Sequence, residues 1–489
     1  MRNEPLNILM VASEAAPFAK TGGLADVVGA LPQALQAQGH DVRLIMPWYR
    51  SVRAASGPLR KSRTTIPVPI GGAVYSVAFR QGHLDQVPVY FIDVPELYDR
   101  QELYGEQGQD YPDNALRFGL LSRAALELAR KLAFQPDIVH AHDWQAGLVP
   151  VYLNQHLWRD PYFTETGSLF SIHNLGYQGL FNAEALIELG LDSSLVSADR
   201  LEYFGRISLL KGGIRYADRV STVSPTYCRE IQTPECGMGL DGLLASRQAH
   251  LHGILNGLDD TLWNPATDPT LPKNYSVKNL RGKAICKAAL QKELGLQPDP
   301  TVPLAAMVTR LDSQKGIDLL LDEWQSLLSR KIQLVILGSG TPAYEQVLTD
   351  LAQASPGRVA VSHLFNDPLA RRIYAGSDLF LMPSRYEPCG LGQLIALRYG
   401  SVPLVRATGG LMDTIVDPRD QGEQANGFVF QDYTGTALVE GLDRAVAAYH
   451  QEETWQALRL TGMQQDFSWQ RASSEYTELY RRILSDRSG

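Results

Sequence analysis

The chain has 489 residues, too many for one ordinary domain and suited to two or three. An apolar fraction of 44% with 20% charged residues is the balance of a soluble globular protein with large cores. A formal net charge of −8 argues against nucleic acid or an anionic membrane as the main partner, so a phosphate-bearing ligand must be met by a local cluster of cations.

In chain order, "LNILMVA" after Arg2 has the flavour of a signal peptide, but the apolar run is too short and Glu14 interrupts it. It reads as a buried strand, Leu6–Ala12. The stretch "PFAKTGGLADVV" then places Lys20 and two glycines, Gly22 and Gly23, between that strand and a helix over about 24–38, which Gly39 ends before a strand at 41–46. The Walker order of glycines before lysine is reversed, and G-x-G-x-x-G is absent. A glycine loop at a helix start with a lysine beside it is the chemistry of an anion site. The plainer alternative is a tight strand-to-helix turn with a solvated lysine. Further apolar strands follow in "VPVYFIDV", "PDIVHAHD", "GSLFSIHN" and "DRVSTVSP", with a helix over "NALRFGLLSRAALELARKLAF". Apolar strands alternating with amphipathic helices predict a parallel sheet covered on both faces.

Around "GILNGLDDTLWNPATDPTLPKNYS" the composition turns to Gly, Asn, Asp and Pro, which marks a linker. The pattern then restarts: a strand in "VPLAAMVTRL", the loop "DSQKG", one helix over "IDLLLDEWQSLLSR", and a strand in "IQLVILGSG". Strands in "DLFLMP", "SVPLVRA" and "GFVF" complete the second half. The expected organisation is a first α/β domain over 1–252, a second over 253–467, and a final helix over 468–489 long enough to cross back to the first. Both are doubly wound and Rossmann-like, each with a cationic loop after its first strand, and a ligand between them is expected.

Arg310 and Lys315 in "TRLDSQKG" are cations spaced to share a diphosphate; alternatively Lys315 is solvated and Arg310 pairs with Asp312 or Asp318. In "PSRYEPCGLGQL", Pro388 and Gly390 are expected to open a helix with Glu387 at its N-terminus, as an acceptor for a ligand's hydroxyl groups or simply a complement to the helix dipole. "VHAHDWQAG" sets His140, His142 and Asp143 at a strand end, and "SIHNLGYQG" sets His173 and Asn174 at the next. His-x-His can bind a metal, but no third ligand follows at suitable spacing, so none is expected. Cys228, Cys236, Cys286 and Cys389 form no C-x-x-C pair, which predicts reduced thiols in a cytoplasmic chain. No nucleophilic triad is present, and no segment is long enough to span a membrane.

With "KTGGLADV", "HAHDWQ", "SIHNLGYQG", "ILNGLD", "TRLDSQKG" and "RYEPCGLGQL" in this order, the chain resembles the bacterial glycogen synthases and plant-type starch synthases over nearly its whole length. The resemblance implies the GT-B fold, two Rossmann-like domains with the active site in their cleft. It also implies retaining transfer of glucose from ADP-glucose to the non-reducing end of an α-1,4-glucan, with no metal or other cofactor. Carried over by position, Lys20, Gly22 and Gly23 belong to the loop that approaches the diphosphate and glucose. Asp143, His173, Asn174 and Asn256 lie near the sugars, and Arg310 and Lys315 bind the leaving diphosphate. Glu387, Cys389, Gly390 and Leu391 grip the glucose, and Phe365 stacks under the adenine, where Tyr also occurs. Gly392 departs from relatives with Thr or Ile, so a phosphate contact there would come from backbone N–H. A different nucleotide sugar or acceptor and a non-catalytic glucan-binding role are the alternatives; a nicotinamide enzyme is disfavoured by the missing glycine fingerprint.

Overall fold

The structure, a computed structural model, describes residues 4–56, 59–364 and 366–488. The chain divides into two compact α/β units, one up to Gly257 and again from Trp469, the other Leu258–Ser468. The first division thus falls at Gly257, a few residues after the expected 252.

In the first unit the N-terminal apolar run forms β1 (Asn7–Val11), whose last four residues are all buried. Helix α1 (Gly23–Ala37) turns Leu24, Val27, Val28, Leu31 and Leu35 inward, the spacing of one helical face. Then come β2 (Asp41–Pro47), β3 (Ile66–Ile70), β4 (Ala73–Leu84) and β5 (Val87–Asp93). Helix α2 (Asn114–Lys131) precedes β6 (Ile138–His142), β7 (Gly167–Ile172), β8 (Arg219–Thr222) and β9 (Leu251–Gly253). They form one nine-stranded sheet in the order β9-β8-β7-β6-β1-β2-β5-β4-β3. Pairing is parallel from β9 to β5, whereas β5–β4 and β4–β3 are antiparallel. That antiparallel edge departs from the all-parallel expectation. Its cause is local: only Gly71 and Gly72 join β3 to β4, far too short for a crossover.

The second unit builds a six-stranded parallel sheet from β10 (Leu304–Val308), β11 (Gln333–Leu337), β12 (Val359–Ser362), β13 (Leu379–Met382), β14 (Val402–Arg406) and β15 (Phe428–Phe430). Its order, β12-β11-β10-β13-β14-β15, is the doubly wound order of a Rossmann sheet. The helix expected over 317–330 is two, α3 (Ile317–Asp322) and α4 (Trp324–Ser329), broken where Glu323 leaves helical geometry at φ −103°, ψ 18°. Each half buries its own apolar residues, Ile317, Leu319 and Leu320 in one and Trp324 and Leu327 in the other. Two short helices follow β13 and β14, α5 (Gly392–Arg398) and α6 (Gly409–Thr414).

The last helix, α7 (Trp469–Ser488), belongs to the first unit. Ala472, Tyr476, Leu479, Tyr480 and Ile483 are buried along one stripe, and the helix packs against α1 and β7. Thr477 Oγ1 donates to Gln38 Oε1 at 2.7 Å, and Arg219–Asp486 and Arg487–Asp218 pair at 2.5 and 2.9 Å. These exposed pairs add little, so the apolar stripe holds the helix. Ile483→Ala should therefore cost about 2–5 kcal/mol in chemical denaturation, and Arg482→Ala, one residue away and exposed, within about 0.5 kcal/mol of nothing.

Candidate functional site

In both sheets the parallel strands run out on either side of the first one: the order divides between β1 and β6 in the first unit, and between β10 and β13 in the second. Loops leaving the carboxyl ends of such neighbours diverge, which leaves a crevice that no crossover helix covers. Within each unit, most of the residues singled out from sequence follow these strands or their neighbours; Asn256 follows β9 at the edge of its sheet.

In the first unit Lys20, Gly22 and Gly23 follow β1. Lys20 Nζ meets Asp26 Oδ1 at 2.6 Å, and the lysine side chain is half exposed, so this pair is weak and easily exchanged. A Cβ added at Gly22 or Gly23 would meet no protein atom within 4 Å, so the fold itself does not exclude a larger residue at either position. What shapes the loop is Glu14, read from sequence only as an interruption of the apolar run. Its buried carboxylate accepts from Thr21 N–H at 2.5 Å, from Thr21 Oγ1 at 2.7 Å and from the Tyr104 hydroxyl at 2.5 Å. A carboxylate inside an otherwise apolar strand end was the available signal, since such a group is kept only when its oxygens are bonded.

Asp143 follows β6 with φ +55°, an uncommon conformation for a residue other than glycine. Its Oδ1 accepts the backbone N–H of His173, just past β7, at 2.7 Å. Burial pushes the Asp143 carboxyl up to about 7, with the backbone N–H groups of His173 and Asn174 pulling the other way. Burial holds His173 down to about 3, so its ring is neutral. His142 Nδ1 lies 3.0 Å from His173 Nε2, and the His140 ring stacks on His142 at 4.0 Å between centroids. Asn174 turns inward on its own loop, its Oδ1 accepting from Gly176 N–H at 2.9 Å. Asn256 is buried, and its Oδ1 has no hydrogen-bond partner among the described residues. No group of three or more His, Cys, Asp or Glu side chains among the described residues is arranged to hold a metal ion.

In the second unit the loops after β10 and β13 are fastened together. Arg385 N–H donates to the Gln314 carbonyl at 2.8 Å, and Gln314 Nε2 donates to the Tyr386 carbonyl at 3.2 Å. Gly316, at φ +72°, lets the backbones touch: a Cβ there would stand 2.0 Å from the Pro383 oxygen. Lys315 Nζ is thereby brought 3.0 and 2.7 Å from the two Glu387 oxygens, and Ser384 Oγ donates to the same carboxylate at 2.9 Å. Arg310 pairs with Asp312 at 3.2 Å and donates to Gln314 Oε1 at 3.1 Å. Asp318, its other possible partner by sequence, pairs instead with Arg385 at 2.8 Å.

The expected helix start needs correction. Helix α5 begins at Gly392, and Glu387 lies ahead of it in an irregular loop. Gly390 takes φ +75°, which breaks helical continuation from Pro388, and the loop is held from elsewhere. Gly410 N–H donates to the Glu387 carbonyl at 3.1 Å, and a Cβ on Gly409 would sit 1.9 Å from that oxygen. Sequence reading missed Gly409 and Gly410, whose adjacent glycines in "ATGGLMDT" were the signal. Cys389 is buried, with Leu391 and Gly392 partly so. Phe365 lies outside the described residues.

Because the Asp143 carboxyl is raised from 3.8 to about 7, the folded state binds more protons than the unfolded state between those values. Stability from this group is complete below about 4 and lost as pH rises through 7. Asp143→Asn keeps the acceptor for His173 N–H and removes the charge. The variant should gain on the parent by up to about 4 kcal/mol at pH 8, with the gap closing towards pH 4 in denaturant melts.

Residues 7–246 match the family model described as starch synthase catalytic domain, and residues 292–457 match glycosyl transferases group 1. The chain is 54% identical to a glycogen synthase of Syntrophotalea carbinolica, over 98% of this chain and 99% of that one. It is 51% identical to a glycogen synthase of Geotalea daltonii with the same coverage. Among solved structures it is similar to the catalytic domain of starch synthase IV from Arabidopsis thaliana bound to ADP and acarbose. That match has a TM-score of 0.91 and 38% identity, over 99% of this chain and 100% of the other. A sucrose-phosphate synthase from Thermosynechococcus elongatus, 19% identical with a TM-score of 0.61, shares the fold. Two α/β units of this kind are the fold of the GT-B glycosyltransferases, and the chain belongs to the glycogen and starch synthase family.

Proposed function

We propose that this protein is a retaining glucosyltransferase that moves glucose from ADP-glucose to the non-reducing end of an α-1,4-glucan such as glycogen. The observation that carries the reading is the loop pair in the second unit, where a lysine, a glutamate and a serine bond one another where the strand order of a family member divides. A cation beside a hydroxyl-binding carboxylate suits a substrate that is a sugar on one side and a diphosphate on the other.

In the proposed step the bond between glucose C1 and the β-phosphate oxygen breaks as the acceptor 4-hydroxyl attacks the same face. The hydroxyl proton passes to the departing diphosphate oxygen. Negative charge grows on the diphosphate, so fixed positive potential from Lys20, Arg310 and Lys315 favours the transition state over the ground state. Glu387 serves the sugar hydroxyls. Its carboxylate is engaged by Lys315 and Ser384, which tempers it as a nucleophile and supports same-face displacement over a covalent intermediate. Asp143, His173, Asn174 and Asn256 serve the sugars, and backbone N–H groups of 390–392 serve the phosphates. The chemistry asks for no metal or other cofactor.

Base identity is the finer part of the proposal, since aromatic stacking discriminates bases poorly. Initial rates with glycogen as acceptor and each donor at equal concentration should favour ADP-glucose over UDP-glucose by at least tenfold. Equal rates would leave the glucosyltransfer standing and remove the donor assignment.

Lys20 has an exposed partner and so exchanges Asp26 for a ligand at little cost. Lys20→Gln should lower kcat/KM for the nucleotide sugar about a hundredfold, on the order of 2.7–4 kcal/mol for an oxyanion-type donor. ADP affinity should change much less. Full activity at subsaturating donor would make Lys20 a solvated turn residue.

A further inference from the structure

His140 and His142, buried beside the site, have no part in the reaction just described. His142, the last residue of β6, is fully buried, and its Nδ1 sits 3.0 Å from His173 Nε2. Its other ring nitrogen, Nε2, is buried with no hydrogen-bond partner among the described residues. The ring is clamped from behind by His140, which stacks on it at 4.0 Å and 34°. His140 is itself fixed by two hydrogen bonds, between Nδ1 and the Tyr480 hydroxyl of α7 at 2.8 Å and between Nε2 and Ser171 Oγ at 2.6 Å. Ser171 Oγ in turn meets Ser221 Oγ at 2.5 Å on β8. His173 is thus held twice, its backbone N–H by Asp143 and its ring by His142. Burial keeps all three rings neutral: His140 and His142 are held well below the usual histidine range.

Two neutral rings sharing one hydrogen bond have two arrangements. If His173 Nε2 donated to His142 Nδ1, the proton of His142 would have to sit on Nε2 as a buried N–H without an acceptor. The reverse leaves only a bare ring lone pair there. Orphaned N–H donors are the rarer of the two in folded proteins, because a buried donor forfeits its full hydration.

We propose that His142 is a positioning residue: its Nδ1–H donates to His173 Nε2, which places the His173 proton on Nδ1 and leaves that N–H as a neutral donor for a hydroxyl oxygen of the transferred glucose. The sugar contact rests on the function proposed above; the tautomer does not. The stack of His140, Tyr480 and the two serines exists, on this view, to stop the His142 ring from flipping.

The test is ring-nitrogen NMR of the full chain labelled with 15N-histidine, with His173 assigned from a His173→Asn spectrum. The parent should show a pyrrole-type Nδ1 and a pyridine-type Nε2 at His173. His142→Asn, whose amide nitrogen can take the place of Nδ1, should keep that pattern and keep kcat within about threefold. His142→Leu should mix the tautomers and lower kcat about tenfold with donor KM changed less than threefold, the loss of one oriented hydrogen bond. A His173 proton on Nε2 in the parent overturns the proposal without needing any variant to fold, and so does an unchanged tautomer in His142→Leu. If the tautomer shifts as expected while kcat does not, the positioning stands and the sugar-binding role of His173 falls.

Discussion

Parallel strands joined by right-handed crossovers impose one constraint on which everything else here depends. A sheet that grows in both directions from its first strand must have one pair of neighbours whose outgoing loops part company. In this protein those pairs are β1 with β6 and β10 with β13. The backbone at these carboxyl ends has no covering helix, so its loops are available for polar residues that a buried sheet could not otherwise accommodate. Glu14 with Thr21, Asp143 with His173, and Lys315 with Glu387 are three versions of the same solution. Each uses the polar groups of a diverging loop to satisfy one another.

The three cations singled out from sequence differ in how firmly each is held within its own unit. Lys20 and Arg310 have about half their side chains exposed and pair with nearby aspartates, Asp26 and Asp312, contacts that water and salt weaken. Lys315 and Glu387 have side chains only 15% and 7% exposed, so their pair is a different object. Removing either partner leaves the other charge buried and uncompensated, at a cost of about 3–5 kcal/mol. Lys315 and Glu387 therefore act as a unit, and a loss of function in either single variant reports on both. The glycines at 316 and 409 exist to make that unit: each permits a backbone approach that any Cβ would block.

In the first unit the polar layer runs deeper. The terminal helix supplies Tyr480 to His140, so a residue near the end of the chain fixes a ring two residues before the end of β6. A histidine layer with every ring neutral behaves as a set of oriented hydrogen-bond donors and acceptors, without the cost of a buried charge. Asp143 is the exception, a carboxyl driven up by burial yet needed as an acceptor for the His173 backbone. Such opposing demands on one group are what a site built for chemistry tends to carry.

The sequence by itself determined the alternation of apolar strands and amphipathic helices, a linker from about 253, and the strand ends at which Lys20, Asp143, His173, Arg310, Lys315 and Glu387 stand. These follow from short-range periodicity and from glycine and proline punctuation, which one stretch of chain contains completely. The tertiary structure decided which partner each charge takes. Arg310 had two candidate aspartates in sequence, Asp312 and Asp318; in the fold it pairs with Asp312, while Asp318 pairs with Arg385. The late start of α5 is of the same kind: Gly390 takes φ +75°, and the Glu387 and Pro388 carbonyls both accept from Gly410 N–H, a residue brought there by a later strand of the sheet. Glu14 bonds to Tyr104, 90 residues away, as well as to nearby Thr21, and His142 meets His173, 31 residues away, so neither role could be read from its own stretch of chain. Hydrogen bonds between distant segments leave no periodic trace in sequence, so the fold was legible there and the wiring of its site was not.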